Sequence, residues 1–356
     1  MPVKGYKKIA FIAGTLGTGG AERQLYYLTG SLVKHGYEVT VYSLTQHEFY
    51  ESKLKEIGVD VIYFGAHRSK IKRAYKLYSL LKAHPPQLIY SFHFYANTYA
   101  SIAGRLLGIK VIGSIRSDAI SEKKLNGRLS WLHYSLPHIM VANSQHGADN
   151  CKKIFYEKRM FILGNVIEVE QFKYVTKILD NRNPIHLIWV GRYVNEKQPW
   201  LFLQMIKNLT DRGLNVHGEM YGDGKLKNEL EILLNNKFSN YNIKLKTSHP
   251  VIQEVYKKAH WLCSLSTYEG TPNVVIEAMA SGVAIASLNY DGIQALISNE
   301  KNGLIENEID RLCDGIIKYS HQALYDNLTI EARKKIENNY SVSNLIPNFE
   351  QILGLI

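Results

Sequence analysis

The sequence predicts an α/β chain built as two doubly wound parallel-sheet domains in series. Three observations predict it. Short apolar strands alternate with helix-spaced segments over the first half, the pattern of a parallel sheet covered on both faces. The same alternation restarts near residue 185 after a polar stretch. The length, 356 residues, is long for one core and natural for two domains of roughly 150–200 residues.

Each element follows from local pattern. Residues 8–14 read as a strand ending in a Gly-rich turn, and residues 21–35 have helical spacing and close on Gly36. Residues 38–44, 59–64, 87–91, 110–115 and 138–142 read as further short strands. Helices at 70–84, 95–107 and 125–135 lie among the segments between them. Residues 166–184 are polar, lack strong periodicity and end in Asn181-Arg182-Asn183-Pro184, as a linker would. Strands follow at 185–191, 216–221, 243–246, 261–265 and 284–288. The segment 340–356 carries Val342, Leu345, Ile346, Phe349, Ile352 and Leu353 at helical spacing. The domains are therefore expected at 1–168 and 184–339.

Composition narrows the class. Hydrophobic content of 46% is ordinary for a globular protein. No run of about 18 apolar residues exists, so no membrane-spanning helix is expected. The apolar run at residues 9–13 is short and ends in glycine, so it reads as a buried strand and not a signal peptide. Cys151, Cys263 and Cys313 form no CxxC pair and no disulfide framework, which fits a reducing cytosol. Residues 1–165 hold 23 Lys/Arg against 10 Asp/Glu, a net of +13; residues 166–356 hold 20 against 22, a net of −2. The basic excess is dense at Arg68, Lys70, Lys72, Arg73 and Lys76, with Tyr75 and Tyr78 among them, and again at Lys123, Lys124 and Arg128. A basic half points to a polyanionic partner, nucleic acid or an anionic membrane surface.

In open parallel sheets, ligands bind beyond the carboxyl ends of the strands, so the residues just after each strand matter most. After the first strand stands Gly14-Thr15-Leu16-Gly17-Thr18-Gly19-Gly20-Ala21-Glu22-Arg23, whose backbone N–H groups can approach an anion at a helix start. After the strand at 185–191, Arg192 and Lys197 can converge on a diphosphate, Arg as a planar fork and Lys as a point charge. After the strand at 261–265 comes Glu269-Gly270-Thr271-Pro272-Asn273-Val274-Val275-Ile276-Glu277, running on to Gly282. Pro272 suits a first helical turn and Gly282 a stop. The N–H groups of 273–275 would then face an anion, and both glutamates can accept hydroxyl hydrogen bonds.

These residues carry a resemblance. Glu269 and Glu277 form a Glu-x7-Glu pair and resemble the hallmark of family 4 of the retaining GT-B glycosyltransferases. Gly19-Gly20-Ala21-Glu22-Arg23 is similar to that family's glycine loop, and Trp189-Val190-Gly191-Arg192 with Glu196-Lys197 to its diphosphate site. Tyr221-Gly222-Asp223-Gly224 is similar to its nucleotide-side loop. Asn289-Tyr290-Asp291-Gly292-Ile293 is similar to its Gly-Gly-Ile segment, with Asp291 for the first glycine.

The resemblance implies two Rossmann-like domains facing a cleft, with the C-terminal helix at 340–356 crossing back to complete the first. It implies that Arg192 and Lys197 bind the donor diphosphate, helped by backbone amides at Gly17, Gly19, Gly20 and the Gly270-Thr271-Pro272-Asn273-Val274 stretch. It implies Glu277 on the ribose, Glu269 on the transferred sugar, and the base against Gly222, Asp223, Gly224 and residues 247–252. His93 matches a region that often faces the cleft. Many relatives carry a histidine after the fifth strand; here Gly113-Ser114-Ile115-Arg116-Ser117-Asp118 puts Arg116 there. Arginine cannot serve as a base, though it can bind a phosphate or a sugar hydroxyl.

The chain holds no Asp-x-Asp and no HExxH, so the charge that stabilises a leaving nucleotide is expected from Arg192, Lys197 and helix-start amides, without a metal or other cofactor. The expected function is transfer of a hexose or N-acetylhexosamine from a UDP-sugar to a glycan or polyprenyl-diphosphate-linked acceptor. The expected setting is bacterial capsule or lipopolysaccharide synthesis on the cytoplasmic face of the inner membrane, with the basic domain on anionic lipid. A nucleotide-sugar epimerase would share the architecture. A dinucleotide oxidoreductase, using Glu38, leaves the Glu-x7-Glu segment unexplained. A non-enzymatic nucleotide- or nucleic-acid-binding module accounts only for the basic half, and no nucleic-acid motif appears.

Overall fold

The computed structural model describes residues 1–356 except Met1, Lys4, Ser117, Asp118, Asn181, Ser248 and Pro250, and omits the side chain of Ser121. Seven parallel strands form the first sheet: β1 (Lys8–Ala13), β2 (Glu38–Ser43), β3 (Asp60–Tyr63), β4 (Leu88–Ser91), β5 (Lys110–Ile115), β6 (Ile139–Ala142) and β7 (Met160–Ile162). Six parallel strands form the second: β8 (Ile185–Val190), β9 (Val216–Tyr221), β10 (Ile243–Lys246), β11 (Trp261–Ser264), β12 (Ala284–Leu288) and β13 (Leu304–Glu306). The central strands are near-continuous apolar runs because helices cover both faces.

The spatial orders are β3-β2-β1-β4-β5-β6-β7 and β10-β9-β8-β11-β12-β13. Each reverses direction beside its first strand, between β1 and β4 and between β8 and β11. Those switch points open a crevice at the carboxyl ends of the strands.

The structure departs from the sequence reading in four places. Strands β7 and β13 were not read: each has three residues and lies at a sheet edge, too short to show a period. The helix expected at 125–135 is two helices, Ala119–Asn126 and Leu129–Ser135. Gly127 at φ +54° turns the chain between them, a conformation glycine adopts without penalty. Residues 167–184 do not form a free linker. The chain divides into one unit of Met1–Val166 with Val342–Ile356 and another of Ile167–Ser341. Ile167, Val169 and Phe172 are buried in the core of the second unit. Lys177 is buried there too; it donates to the Lys257 carbonyl at 3.0 Å, and burial pulls its ammonium down to about 8. Finally, Pro272 is the N-cap of the Asn273–Ala280 helix and lies outside its first turn.

The helix Leu345–Gly354 belongs to the first unit. Its apolar stripe of Leu345, Ile346, Phe349, Ile352 and Leu353 joins the core that holds Phe11, Leu28 and Tyr90. The Phe349 ring stacks on Tyr90 at 5.8 Å, and the Tyr37 hydroxyl donates to Glu350 at 2.7 Å. All three cysteines are free and buried, as small apolar side chains.

Truncating a fully buried, stacked phenylalanine leaves a cavity. Phe349→Ala is expected to cost about 3–5 kcal/mol, read by urea denaturation of the first unit's transition. A change near zero would mean the helix does not dock as described.

Candidate active site

The first switch point is built around the turn after β1. Gly14 comes first, and its N–H donates to His93 Nδ1 at 3.1 Å. Nδ1 accepts, so the ring hydrogen sits on Nε2, 3.3 Å from the Glu22 carboxylate. Both nitrogens of His93 are therefore engaged by the protein. A Cβ on Gly14 would overlap the Tyr95 ring, and one on Gly19 would lie 2.1 Å from the Glu22 carboxylate. Close packing against the ring requires glycine at 14, whereas at 19 the obstacle is the movable end of the Glu22 side chain. Thr15 Oγ1 lies 3.0 Å from both oxygens of Glu48, and the Leu16 N–H donates to the same carboxylate. The hydrogen bonds hold Glu48 below the usual carboxylate range against its burial. The Gly17 N–H is spent on Thr15 Oγ1 at 3.2 Å, so it is not turned outward as the sequence reading had it. Gly20 opens the helix Gly20–Lys34, with Gly19 as its N-cap.

Arg116 follows β5, the neighbour of β4. One guanidinium nitrogen donates to Asn165 Oδ1 at 2.9 Å, and the group lies 4.3 Å from the Phe92 ring centroid. It is thus fixed beside the turn that carries His93. Ser117 and Asp118, which the sequence reading placed next to it, lie outside the described residues.

The second switch point joins the loops after β8 and β11. Gly191 and Arg192 end β8, and Arg192 is exposed. Tyr193 turns inward, stacks on Trp189 at 5.5 Å and donates to the Met220 carbonyl at 3.0 Å. A 3-10 turn, Asn195–Lys197, and a left-handed Gln198 then aim Lys197 back. Its ammonium meets Glu269 Oε1 at 2.6 Å, and the Ser266 hydroxyl donates to the same oxygen at 2.8 Å. The Thr267 N–H donates to the Glu196 carbonyl at 2.8 Å, fastening the two loops by backbone as well. The sequence reading paired Lys197 with Arg192; the structure pairs it with Glu269.

The loop after β12 braces Glu269 from behind. Its N–H donates to the Asp291 carbonyl at 3.2 Å. Gly292 sits at φ +92°, where a Cβ would stand 2.2 Å from the Glu269 carbonyl oxygen. Gly270 and Thr271 lead to Pro272, whose carbonyl accepts from the Val275 N–H at 3.1 Å. That amide is consumed by the helix start, so the turn offers fewer outward donors than the sequence implied; Asn273 and Val274 open it. Glu277, only 2% exposed, accepts from the Tyr256 hydroxyl at 3.0 Å.

Gly222 and Gly224 serve the same junction. A Cβ on Gly222 would fall 1.8 Å from the Gly191 carbonyl oxygen, and one on Gly224 2.6 Å from that of Tyr193. Asp223 is exposed; its carbonyl accepts from the Tyr193 N–H at 2.8 Å. Of residues 247–252, Ser248 and Pro250 lie outside the described residues.

The sequence reading missed Ser266, Tyr256 and Glu48. Ser266 carried a signal, a hydroxyl three residues before Glu269 in the same loop. Glu48 carried a similar one, Thr45 three residues before it, though its Thr15 and Leu16 partners are distant in sequence; Tyr256 carried none, because its partner Glu277 lies on another helix.

Comparison with known proteins identifies the family and the fold. The model of the Glycosyltransferase Family 4 matches residues 18–171, and that of Glycosyl transferases group 1 matches residues 170–340. A Campylobacter jejuni protein named as a diNAcBac-PP-undecaprenol-linked alpha-1,4-N-acetyl-D-galactosaminyltransferase is 30% identical, covering 84% of each chain. The Escherichia coli UDP-Gal:alpha-D-GlcNAc-diphosphoundecaprenol alpha-1,3-galactosyltransferase is 23% identical, covering 79% of each. The structure of Anabaena HepE in complex with UDP superposes with a TM-score of 0.82 at 16% identity, covering 98% of this chain and 100% of that one. Fold and matches together define a glycosyltransferase of GT-B architecture. The chain belongs to family 4 of those enzymes.

Gly292→Ala is expected to push the Glu269 loop out of place and lower turnover on the order of tenfold to a hundredfold. Gly108→Ala, at φ +69° with nothing within 4 Å of its Cβ, is expected to cost stability only. Equal turnover in the two variants would remove the bracing role of Gly292.

Proposed function

We propose that this enzyme transfers a hexose or N-acetylhexosamine, with retention of configuration, from a UDP-sugar to a glycan carried on a polyprenyl diphosphate. The setting would be synthesis of a bacterial surface polysaccharide such as capsule or lipopolysaccharide. The observation that carries the reading is the Lys197–Glu269 pair at the switch point of the second sheet, with Arg192 exposed at the end of β8. A diphosphate competes with Glu269 for the Lys197 ammonium. Once phosphate takes that charge, the Glu269 carboxylate is released to accept hydrogen bonds from sugar hydroxyls. Arg192 and Lys197 then offset the charge of the departing nucleotide with no metal required. Glu277 takes the ribose, and residues 222–224 support the base. His93 acts as a positioning residue, holding the glycine turn.

The named relatives support the acceptor class, since the Campylobacter and Escherichia enzymes are both named for undecaprenol-linked glycans. The Escherichia name specifies UDP-Gal, and HepE structures carry UDP and UDP-glucose.

A membrane face supports the same reading. The helix Lys70–Ala83 exposes Ile71 (82%) and Tyr75 (70%) among Lys70, Lys72, Arg73 and Lys76. The helix Ala119–Asn126 exposes Leu125 (80%) beside Lys123 and Lys124, and Leu129–Ser135 exposes Trp131 and Leu132. Burial lowers the His133 imidazole to about 4, and the Lys70 charge adds to the shift. Apolar side chains ringed by cations suit the headgroup region of anionic lipid. No helix among the described residues is long and apolar enough to cross a membrane.

Calorimetry against UDP-, GDP- and ADP-sugars without added metal should find saturable binding of one UDP-sugar, weakened in Glu277→Ala. Lys197→Ala should lose turnover by about 100-fold or more, about 3 kcal/mol of barrier; ordinary turnover at saturating donor would sink the assignment. Proton NMR of the product should show the donor's anomeric configuration. Sugar released with no acceptor present would favour an epimerase. On the membrane side, the protein should co-sediment with anionic liposomes at low salt, and Ile71→Glu with Leu125→Glu should abolish that. Equal binding to neutral liposomes would refute the electrostatic part.

A further inference from the structure

A cluster at the amino ends of β8 and β9 has no part in the site described. His186 and His217 stand in register on the two strands, their rings stacked 5.1 Å apart. Glu219 lies two residues beyond His217, hence on the same face of β9. His186 Nδ1 is 3.3 Å from the Lys258 carbonyl oxygen, and His217 Nδ1 is 2.8 Å from Asn242 Oδ1. An oxygen of this kind accepts only, so each Nδ1 carries the hydrogen. The Nε2 of each ring then faces the carboxylate between them. His186 Nε2 lies 3.1 Å from Glu219 Oε2, and His217 Nε2 lies 3.3 Å from Oε1. The positive charge now at that carboxylate is the Lys246 ammonium, while the buried His186 Nε2 is left without a donor or acceptor of its own among the described residues.

We propose that His186, His217 and Glu219 bind a divalent transition metal, Zn2+ by the chemistry of the donors. One atom from each residue can be chosen so that all lie within 4.8 Å of one another. Ligands about 2.0–2.2 Å from a tetrahedral zinc stand roughly 3.3–3.6 Å apart; each imidazole is already that near one Glu219 oxygen, and the three-atom set, within 4.8 Å, would draw in around the ion. The Nδ1 hydrogen bonds are the outer partners that fix imidazole ligands, and the Tyr221 hydroxyl orients Glu219 at 2.5 Å. Three protein ligands leave one position for water. Lys246 is the competitor: its ammonium lies 2.6 Å from Glu219 Oε1, on a side chain exposed enough to swing away. His186 and His217 are the second residues of β8 and β9 and Glu219 is the fourth of β9, set back from the strand ends that carry Gly191 and Gly222. The metal would cross-link β8 to β9 and have no contact with the donor.

The test uses tag-free, chelator-treated protein titrated with ZnCl2 by calorimetry, and with Co2+ followed by visible absorption. One equivalent should bind, with the intense bands of tetrahedral cobalt and a raised melting temperature. His217→Ala and His186→Ala should each weaken binding about 100-fold, with UDP-sugar binding kept as the sign of an intact fold. Lys246→Met should tighten binding, because the rival cation is gone. The proposal falls if no zinc binds, if His217→Ala binds as wild type does, or if Lys246→Met weakens binding. Should His186→Ala fail to fold, His217→Ala and Lys246→Met still decide the matter.

Discussion

The contact between Lys197 and Glu269 joins two loops that are distant in sequence and adjacent at the switch point of the second sheet. Everything nearby is arranged around keeping those loops together. Thr267 bonds to Glu196 along the backbone, Ser266 steadies the shared carboxylate oxygen, and Gly292 lets the next loop press against Glu269 from behind. A partly buried ion pair of this sort adds little net stability, since desolvation offsets attraction. Its value lies in geometry: it keeps a cation and a carboxylate side by side at the carboxyl end of the second sheet.

The first sheet reaches a similar end by different means. His93 bridges the Gly14 amide and Glu22, and Glu48 holds the residues between. Most polar groups of that turn are consumed in shaping it. The glycines accordingly do two kinds of work. Gly14, Gly222 and Gly224 are needed where a ring or the backbone would collide with a Cβ. Gly17 has only an ordinary contact there, and its amide is already bonded.

Much of this was legible in the sequence. The central strands are apolar on both faces, so their runs stood out, and the Glu-x7-Glu spacing placed two carboxylates around one helix start. What stayed hidden depended on partners far along the chain. His93 and Gly14 meet because β1 and β4 are neighbours, which no local pattern states. Lys197 reaches Glu269 because Gln198 takes a left-handed turn, a conformation that glutamine does not advertise. The segment 166–184 looked like a linker because the apolar residues it buries in the second core, Ile167, Val169 and Phe172, are spaced to fit one particular surface and follow no period.

The helix Leu345–Gly354 reverses the usual order of maturation on the ribosome. Domains ordinarily fold as they emerge, the first before the second. Here the second unit is one continuous stretch, Ile167–Ser341, whereas the first must wait for Val342–Ile356. Until those residues leave the exit tunnel, Tyr90 lacks its stacking partner and the apolar face beneath Phe349 stays uncovered. The nascent chain therefore carries an unfinished basic domain until its closing helix is free to dock.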